Sequence, residues 1–199
     1  MNIAILGKGN MGAPLAELME KAGHSVTRLG RHDDAVPALN TAALVVLALK
    51  YEQVLDLAGK PGVVAALSGK IVLDMTNPLA ADYMSLTIGH STSAAEEIAK
   101  RLPDAHVVKA FNTVFAGLLA RRAAGENVGV PVFVAGDDAG SVDIVLSLAT
   151  SIGFEALNGG SLSNARYLEP MAEFMIQLAY GLGHGAEIGF AVVKRCKAR

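Results

Sequence analysis

The first twelve residues, MNIAILGKGNMG, limit the possible folds more than any other stretch. Ile3, Ala4, Ile5 and Leu6 form a short apolar run that glycine cuts off. Such a run reads as a strand covered on both faces, as in a parallel sheet. Gly7, Gly9 and Gly12 follow in G-x-G-x-x-G spacing. Gly7 permits a tight turn, Gly9 leaves the backbone bare for a pyrophosphate, and Gly12 lets the next helix pack against the strand. That helix is expected over residues 10–22, with Leu15, Leu18 and Met19 facing inward. Its free N–H groups and dipole make an anion site. A glycine triplet alone is weak. Here it ends a strand, opens a helix, and precedes Gly23-His24 and a second strand, which is the order of a βαβ dinucleotide unit. The other reading is a glycine-rich corner without a ligand. The candidate phosphate loop is Gly7, Lys8, Gly9, Asn10, Met11 and Gly12.

The second strand, 25–29, bears on which dinucleotide fits. A carboxylate at its tip would hold a ribose 2′-hydroxyl and repel a 2′-phosphate. The chain instead reads Leu29-Gly30-Arg31-His32. Arg31 can fork onto a phosphate and stack on adenine, so NADP is expected. Asp33 and Asp34 follow as caps for the next turn or as competitors for that site, and Arg31 is otherwise an ordinary solvated arginine. Few residues separate Arg31 from the third strand, so the crossover helix between them must be very short.

Further along, strands are expected at 43–49, 70–75, 106–111, 130–135 and 154–157. Helices are expected at 52–66 with a break near Lys60-Pro61-Gly62, at 93–102, 113–121, 138–151 and 164–180. Ser93 and Glu96 have capping-box spacing. Tyr51 lines a cleft or covers a core edge. Asn77 and Asn112 each follow a strand end, where ligands bind in such sheets. Asn77 is a candidate for ribose or carboxamide groups, or else a turn starter; Asn112 is the preferred nicotinamide-side polar residue, or else a helix cap. The 80–92 loop is long for its place and carries His90, a candidate substrate contact or a merely exposed histidine. Residues 121–129 read as a polar loop and Gly159-Gly160-Ser161 as a hinge. Leu168, Met171, Met175 and Leu178 form an apolar stripe, read as core or subunit interface. The expected architecture is α/β: a doubly wound, mainly parallel sheet over 1–157, with a small helical segment over 158–199.

Composition removes several classes of function. The formal net charge of −2 gives no reason to expect nucleic acid or an anionic membrane as partner. Cys196 is the only cysteine, so no intrachain disulfide can form, which fits a reducing cytoplasm. The first apolar run is too short for a signal peptide, and the Ala42–Leu49 run is too short to span a bilayer. The Lys194–Arg199 tail is basic and expected to be solvated.

Three stretches carry a family resemblance: ILGKGNMG at the start, VVKAFNT at 107–113, and LSNARYLEPMAEFMIQLAY at 162–180 followed by AEIGF. With these the chain resembles the NADPH-dependent reductases of coenzyme F420, a deazaflavin hydride carrier, over nearly its whole length. The resemblance implies an NADP-binding Rossmann domain and a small C-terminal helical part that builds a deazaflavin pocket and a homodimer. It places the phosphate loop on Lys8 to Gly12, the 2′-phosphate site on Gly30 and Arg31, and the cleft wall on Leu49, Asn77, Ala110 and Asn112. This chain departs from the family pattern at Lys8, at Gly30, and at Ala35-Val36, where a further lysine is common. Lys8 is the candidate replacement for those phosphate contacts. KAFNT is also similar to the cytosolic NADPH domain of membrane metalloreductases, which pass hydride to a flavin.

The alternatives are a β-hydroxyacid dehydrogenase-like enzyme, a pyrroline-carboxylate-type reductase, and a non-catalytic NADP-sensing module. A short-chain dehydrogenase would need lysine four residues after tyrosine. Leu55, Thr87, Met171 and His184 stand there instead. No tyrosine–lysine relay, spaced His-Asp pair or metal-ligand cluster is visible. The expected partner is therefore a small-molecule hydride acceptor such as F420 or a flavin, since hydride exchange between two rings needs positioning rather than a dedicated acid or base.

Overall fold

The computed structural model describes residues 1–193. The basic tail and Cys196 lie outside the described residues. Among the described residues, seven strands form one sheet in the order β2-β1-β3-β4-β5-β6-β7. They are β1 (Asn2–Leu6), β2 (Ser25–Leu29), β3 (Leu44–Leu47), β4 (Ile71–Asp74), β5 (His106–Lys109), β6 (Val132–Gly136) and β7 (Ala156–Asn158). The first five are parallel; β6 pairs with β5 antiparallel and with β7 in parallel.

The helices are α1 (Gly12–Lys21), α2 (Val36–Thr41), α3 (Tyr51–Ala58), α4 (Pro61–Leu67), α5 (Ala94–Arg101), α6 (Ala116–Ala123), α7 (Ala139–Ser151) and α8 (Ala165–Ile176). They cover both faces of the sheet, and strand alternation divides the core accordingly. Ile3 and Ile5 pack with Leu15 and Met19 of α1 and with Leu119 of α6 on one face. Ala4 and Leu6 pack with Leu39, Val54, Val63 and Ile98 on the other. Double coverage is why the central strands β1 and β3 carry continuous apolar runs rather than alternating ones. The chain leaves β1 toward β2 on one side and places β3 on the other, so a crevice opens at the carboxyl ends of β1 and β3.

Several local expectations are met. The crossover helix α2 has six residues. A break at Gly59-Lys60 separates α3 from α4. Ser93 Oγ accepts the Glu96 N–H at the start of α5. Others are corrected. The expected 113–121 helix begins only at Ala116, because Phe111 turns the chain at φ +62° and the Asn112 side chain bonds elsewhere. Asn112 is therefore no helix cap, and residues 121–123 belong to α6 rather than to a loop. The expected 164–180 helix is regular only over α8 and ends in a wider π turn over Gln177–Gly181. Leu168 and Met175 are buried, but Met171 and Leu178 are only partly so. The supposed hinge at 159–161 is tied to the sheet: Gly159 N–H donates to the Val134 carbonyl and Gly136 N–H to that of Gly160. Among the described residues, no helix is long and apolar enough to cross a membrane.

Candidate functional site

Beyond the carboxyl ends of β1 and β2 lies a cavity of about 810 Å³, lined by Gly7, Gly30, Arg31, Asp33 and Leu49 among others. Beside the ends of β4 and β5 lies a second, of about 600 Å³, lined by Met11, Asn77, Tyr83, Asn112, Met175 and Tyr180 among others. Gly7 belongs to the first and Met11 to the second, so the glycine loop joins them. Lys8, Gly9 and Asn10 line a further groove of about 670 Å³ between α1 and α6. Ala110 departs from the expected cleft wall. It is fully buried in the core and lines none of these cavities.

The three glycines of the loop differ in what holds them. A Cβ on Gly7, at φ +117°, would stand 2.1 Å from the Ala48 carbonyl oxygen. One on Gly12 would stand 1.9 Å from that of Gly7. Close packing of strand, turn and helix therefore requires both. A Cβ on Gly9 would meet nothing within 4 Å. Folding does not need that glycine bare, and open space lies over it. Asn112 adds a second sign: its Oδ1 is buried and has no hydrogen-bond partner among the described residues. Open space over an otherwise unneeded glycine, and a buried acceptor lacking a donor, both fit a dinucleotide.

At the tip of β2, Asp33 accepts the Gly30 N–H and the Lys8 ammonium, each at 2.8 Å. The Gly30 bond, then Lys8, holds the Asp33 carboxyl below its ordinary value. Lys8 thus offsets the acid bonded to the tip. Asp34 caps the next turn by accepting the Val36 N–H. Arg31 is exposed, lines the first cavity, and forms no ion pair with the described carboxylates.

Asn77 and Asn112 clasp each other. Asn77 Nδ2 donates to the Asn112 carbonyl at 3.1 Å, and Asn112 Nδ2 donates to Asn77 Oδ1 at 3.0 Å and to the Leu168 carbonyl at 2.9 Å. Beneath the clasp sits Lys109, 0% exposed. Its ammonium donates to Asp74 and Glu169, both at 2.8 Å, and to the Thr76 carbonyl. Glu169 also accepts the Ala94 and Ala95 N–H groups at the start of α5. Burial lowers the Lys109 pKa, but the charges of Asp74 and Glu169 outweigh it and the net direction is upward. The three partners use all three ammonium donors. One buried cation thus links β4, β5 and α8 under the second cavity. Sequence reasoning missed this triad, although lysine in the apolar stretch VVKAF was a visible signal.

A second missed contact joins Lys50, just before α3, to Tyr83 in the long loop, with Nζ 2.5 Å from the phenolic oxygen. The expectation excluded only a tyrosine–lysine relay at four-residue spacing; these two residues meet through the fold instead. Tyr51 is buried among core residues, so it covers the core. His90 and His184 are exposed, and neither lines either cavity.

Residues 2–106, more than half of the chain, match the family described as the NAD binding domain of 6-phosphogluconate dehydrogenase. The chain belongs to this family. Its fold is that of NAD(P)-binding oxidoreductases. The chain is also similar to a solved structure from Arthrobacter sp. FB24, proposed to be an F420-dependent NADP-reductase. The identity is 27%, with a TM-score of 0.85 and coverage of 98% of this chain and 100% of that one. It is 28% identical to metalloreductase STEAP3 of Rattus norvegicus over 84% of this chain and 35% of that protein. The chain therefore spans about a third of that curated relative. A Mycobacterium tuberculosis 3-hydroxyisobutyrate dehydrogenase aligns at 18% identity and a TM-score of 0.64, over 87% of this chain and 59% of that one. At that identity the likeness is one of fold. Among the described residues of this NAD-binding family member, no three His, Cys, Asp or Glu side chains are grouped as metal ligands.

Proposed function

We propose that this protein transfers a hydride between NADP(H) and a flavin-like or deazaflavin ring such as coenzyme F420. The observation that carries the reading is the pair of cavities joined by the glycine loop. One suits an adenosine with a 2′-phosphate at Arg31. The other places the Asn77–Asn112 clasp beside an apolar chamber lined by Met11, Met75, Met84 and Met175. Lys8, Gly9, Asn10, Met11 and Gly12 would hold the pyrophosphate, Gly30 and Arg31 the 2′-phosphate. Leu49 lies along the adenine side, and Asn77 and Asn112 lie on the nicotinamide side. Ala110, being buried, supports the wall from behind without a side-chain contact. NADP(H), when bound, supplies or accepts the hydride. The residues orient the two rings and exclude water. The similarity to the proposed F420-dependent reductase and to the metalloreductase supports a ring acceptor.

The test is NADPH oxidation with F420, FMN, FAD and a cyclic imine as separate acceptors. Reduction of a ring acceptor is expected, and oxidation with the imine alone would replace this reading. Exposed histidines outside the cavity are expected to matter little. His90→Gln and His184→Gln should keep single-turnover hydride transfer, followed with 4-deuterated NADPH, within about tenfold of the parent. Loss of a general acid or base would cost about 10²–10⁴-fold.

The segment from residue 158 on is assigned to the acceptor side, with a homodimer interface built on 164–190. Tyr167 and Phe174 leave large apolar surface on the outer face of α8, at 69% and 51% exposed. Light scattering at micromolar concentration should give twice the chain mass, and Phe174→Glu should shift it toward the monomer. A monomeric parent protein would remove the interface.

A further inference from the structure

Lys50 and Tyr83 come from different strand ends, one after β3 and one in the loop after β4, and meet at the carboxyl edge of the sheet. The Lys50 ammonium also lies 5.1 Å from the Tyr83 ring centroid. Tyr83 faces two chambers. One is the second cavity, with Asn77 and Asn112. The other is a side cavity of about 360 Å³, shared with Lys50 and Asn77. The Tyr83 backbone sits at φ +61°, which bulky residues rarely adopt, and the residue is still 47% exposed. The turn that imposes this is well tied. Tyr83 N–H donates to the Ala80 carbonyl, Ala80 N–H to the Ser85 carbonyl, and Leu79 bridges Leu86. A bulky aromatic residue is thus held in an unfavourable backbone conformation between two cavities, with its hydroxyl on the Lys50 ammonium, a combination typical of functional positions.

The direction of the hydrogen bond matters most. An ammonium has three donors and no acceptor. Lys50 must therefore donate, the Tyr83 oxygen must accept, and the phenolic proton is left for another partner. The bond to Tyr83 raises the Lys50 pKa, which keeps the lysine a cation.

We propose that Tyr83, supported by Lys50, is a proton donor to the second cavity and gives the protein a second activity, the reduction of small aldehydes or ketones to alcohols. This rests on the NADP(H) assignment above. When bound, NADPH would supply a hydride to the carbonyl carbon, leaving NADP⁺. The π pair of the C=O bond moves to oxygen, which takes the Tyr83 proton as the phenolic O–H bond breaks. The phenolate faces the Lys50 ammonium and is reprotonated from solvent. A ring acceptor spreads the added electron pair over its conjugated system and depends far less on such a donor. The apolar chamber with one polar edge suits an aromatic aldehyde.

The experiment compares NADPH oxidation with 4-nitrobenzaldehyde, F420 and FMN for the parent, Tyr83→Phe, Lys50→Met and Lys50→Arg. The parent should form 4-nitrobenzyl alcohol. Tyr83→Phe should lower the aldehyde rate by about 10²–10⁴-fold, and the ring-acceptor rate by a much smaller factor. Lys50→Met should also lower the aldehyde rate, and Lys50→Arg should restore most of it. A separate binding readout uses 4-nitrobenzamide, an unreactive carbonyl, titrated by calorimetry into NADP⁺-saturated protein. Losing the Tyr83 hydrogen bond should weaken it roughly two- to tenfold. A parent that reduces F420 or FMN but forms no alcohol would overturn the second activity alone, as would equal losses on aldehyde and ring acceptors. A parent that reduces none of the three would remove the underlying reading as well.

Discussion

Replacing Lys109 by methionine is expected to destabilise the protein by about 3–5 kcal/mol, the usual cost of removing one partner from a buried ion pair. For a chain of this size that corresponds to a fall in Tm of about 6–20 °C. Lys109→Met leaves Asp74 and Glu169 facing each other at 0% and 1% exposure without a cation. Methionine is close in length and apolar, so lost packing is a minor part of the effect. In the parent, the folded pKa of Lys109 lies above its ordinary value. Its contribution is therefore complete below the ordinary lysine pKa and fades only as pH rises through the folded value, well into the alkaline range. The gap between parent and variant in urea unfolding should therefore be full at neutral pH and narrow only in the alkaline range, as Lys109 loses its proton. Lys100→Met breaks an exposed pair with Glu97, and should change stability by no more than about 1 kcal/mol. Equal stability of parent and Lys109→Met would mean that the triad does not hold α8 to the sheet.

Arg31→Ala is expected to weaken NADPH binding about ten- to hundredfold, equivalent to roughly 1.5–3 kcal/mol for a hydrogen bond to a charged group, and to leave NADH binding nearly unchanged. The guanidinium lines the first cavity, and Lys8 already offsets the nearby Asp33. Lys8→Met should have a smaller but parallel effect, because it frees the Asp33 charge to repel the 2′-phosphate. Fluorescence titration with both reduced cofactors checks this directly. Equal weakening of NADPH and NADH would remove Arg31 from the 2′-phosphate site.

The amino-acid sequence by itself determined the strand–glycine–helix corner, the apolar strands with double coverage, the very short crossover after Arg31, the Ser93 cap and the broken α3–α4 pair. Each is a local matter: a periodicity, a turn or cap chemistry, or a steric demand spelled out within a dozen residues. Asn77 and Asn112 were also readable singly, as polar residues at strand ends. That they clasp each other, 35 positions apart, was not. The buried Lys109 triad, the burial of Ala110 and the Lys50–Tyr83 pair were decided only by tertiary structure. Lys109 meets Asp74 because β4 and β5 lie side by side in a register that opposes them residue for residue. It meets Glu169 because α8 packs over the start of α5. Tyr83 meets Lys50 because the loop after β4 folds back over the end of β3. Sheet register and loop return bring these charges within hydrogen-bond distance, and no spacing along the chain encodes either.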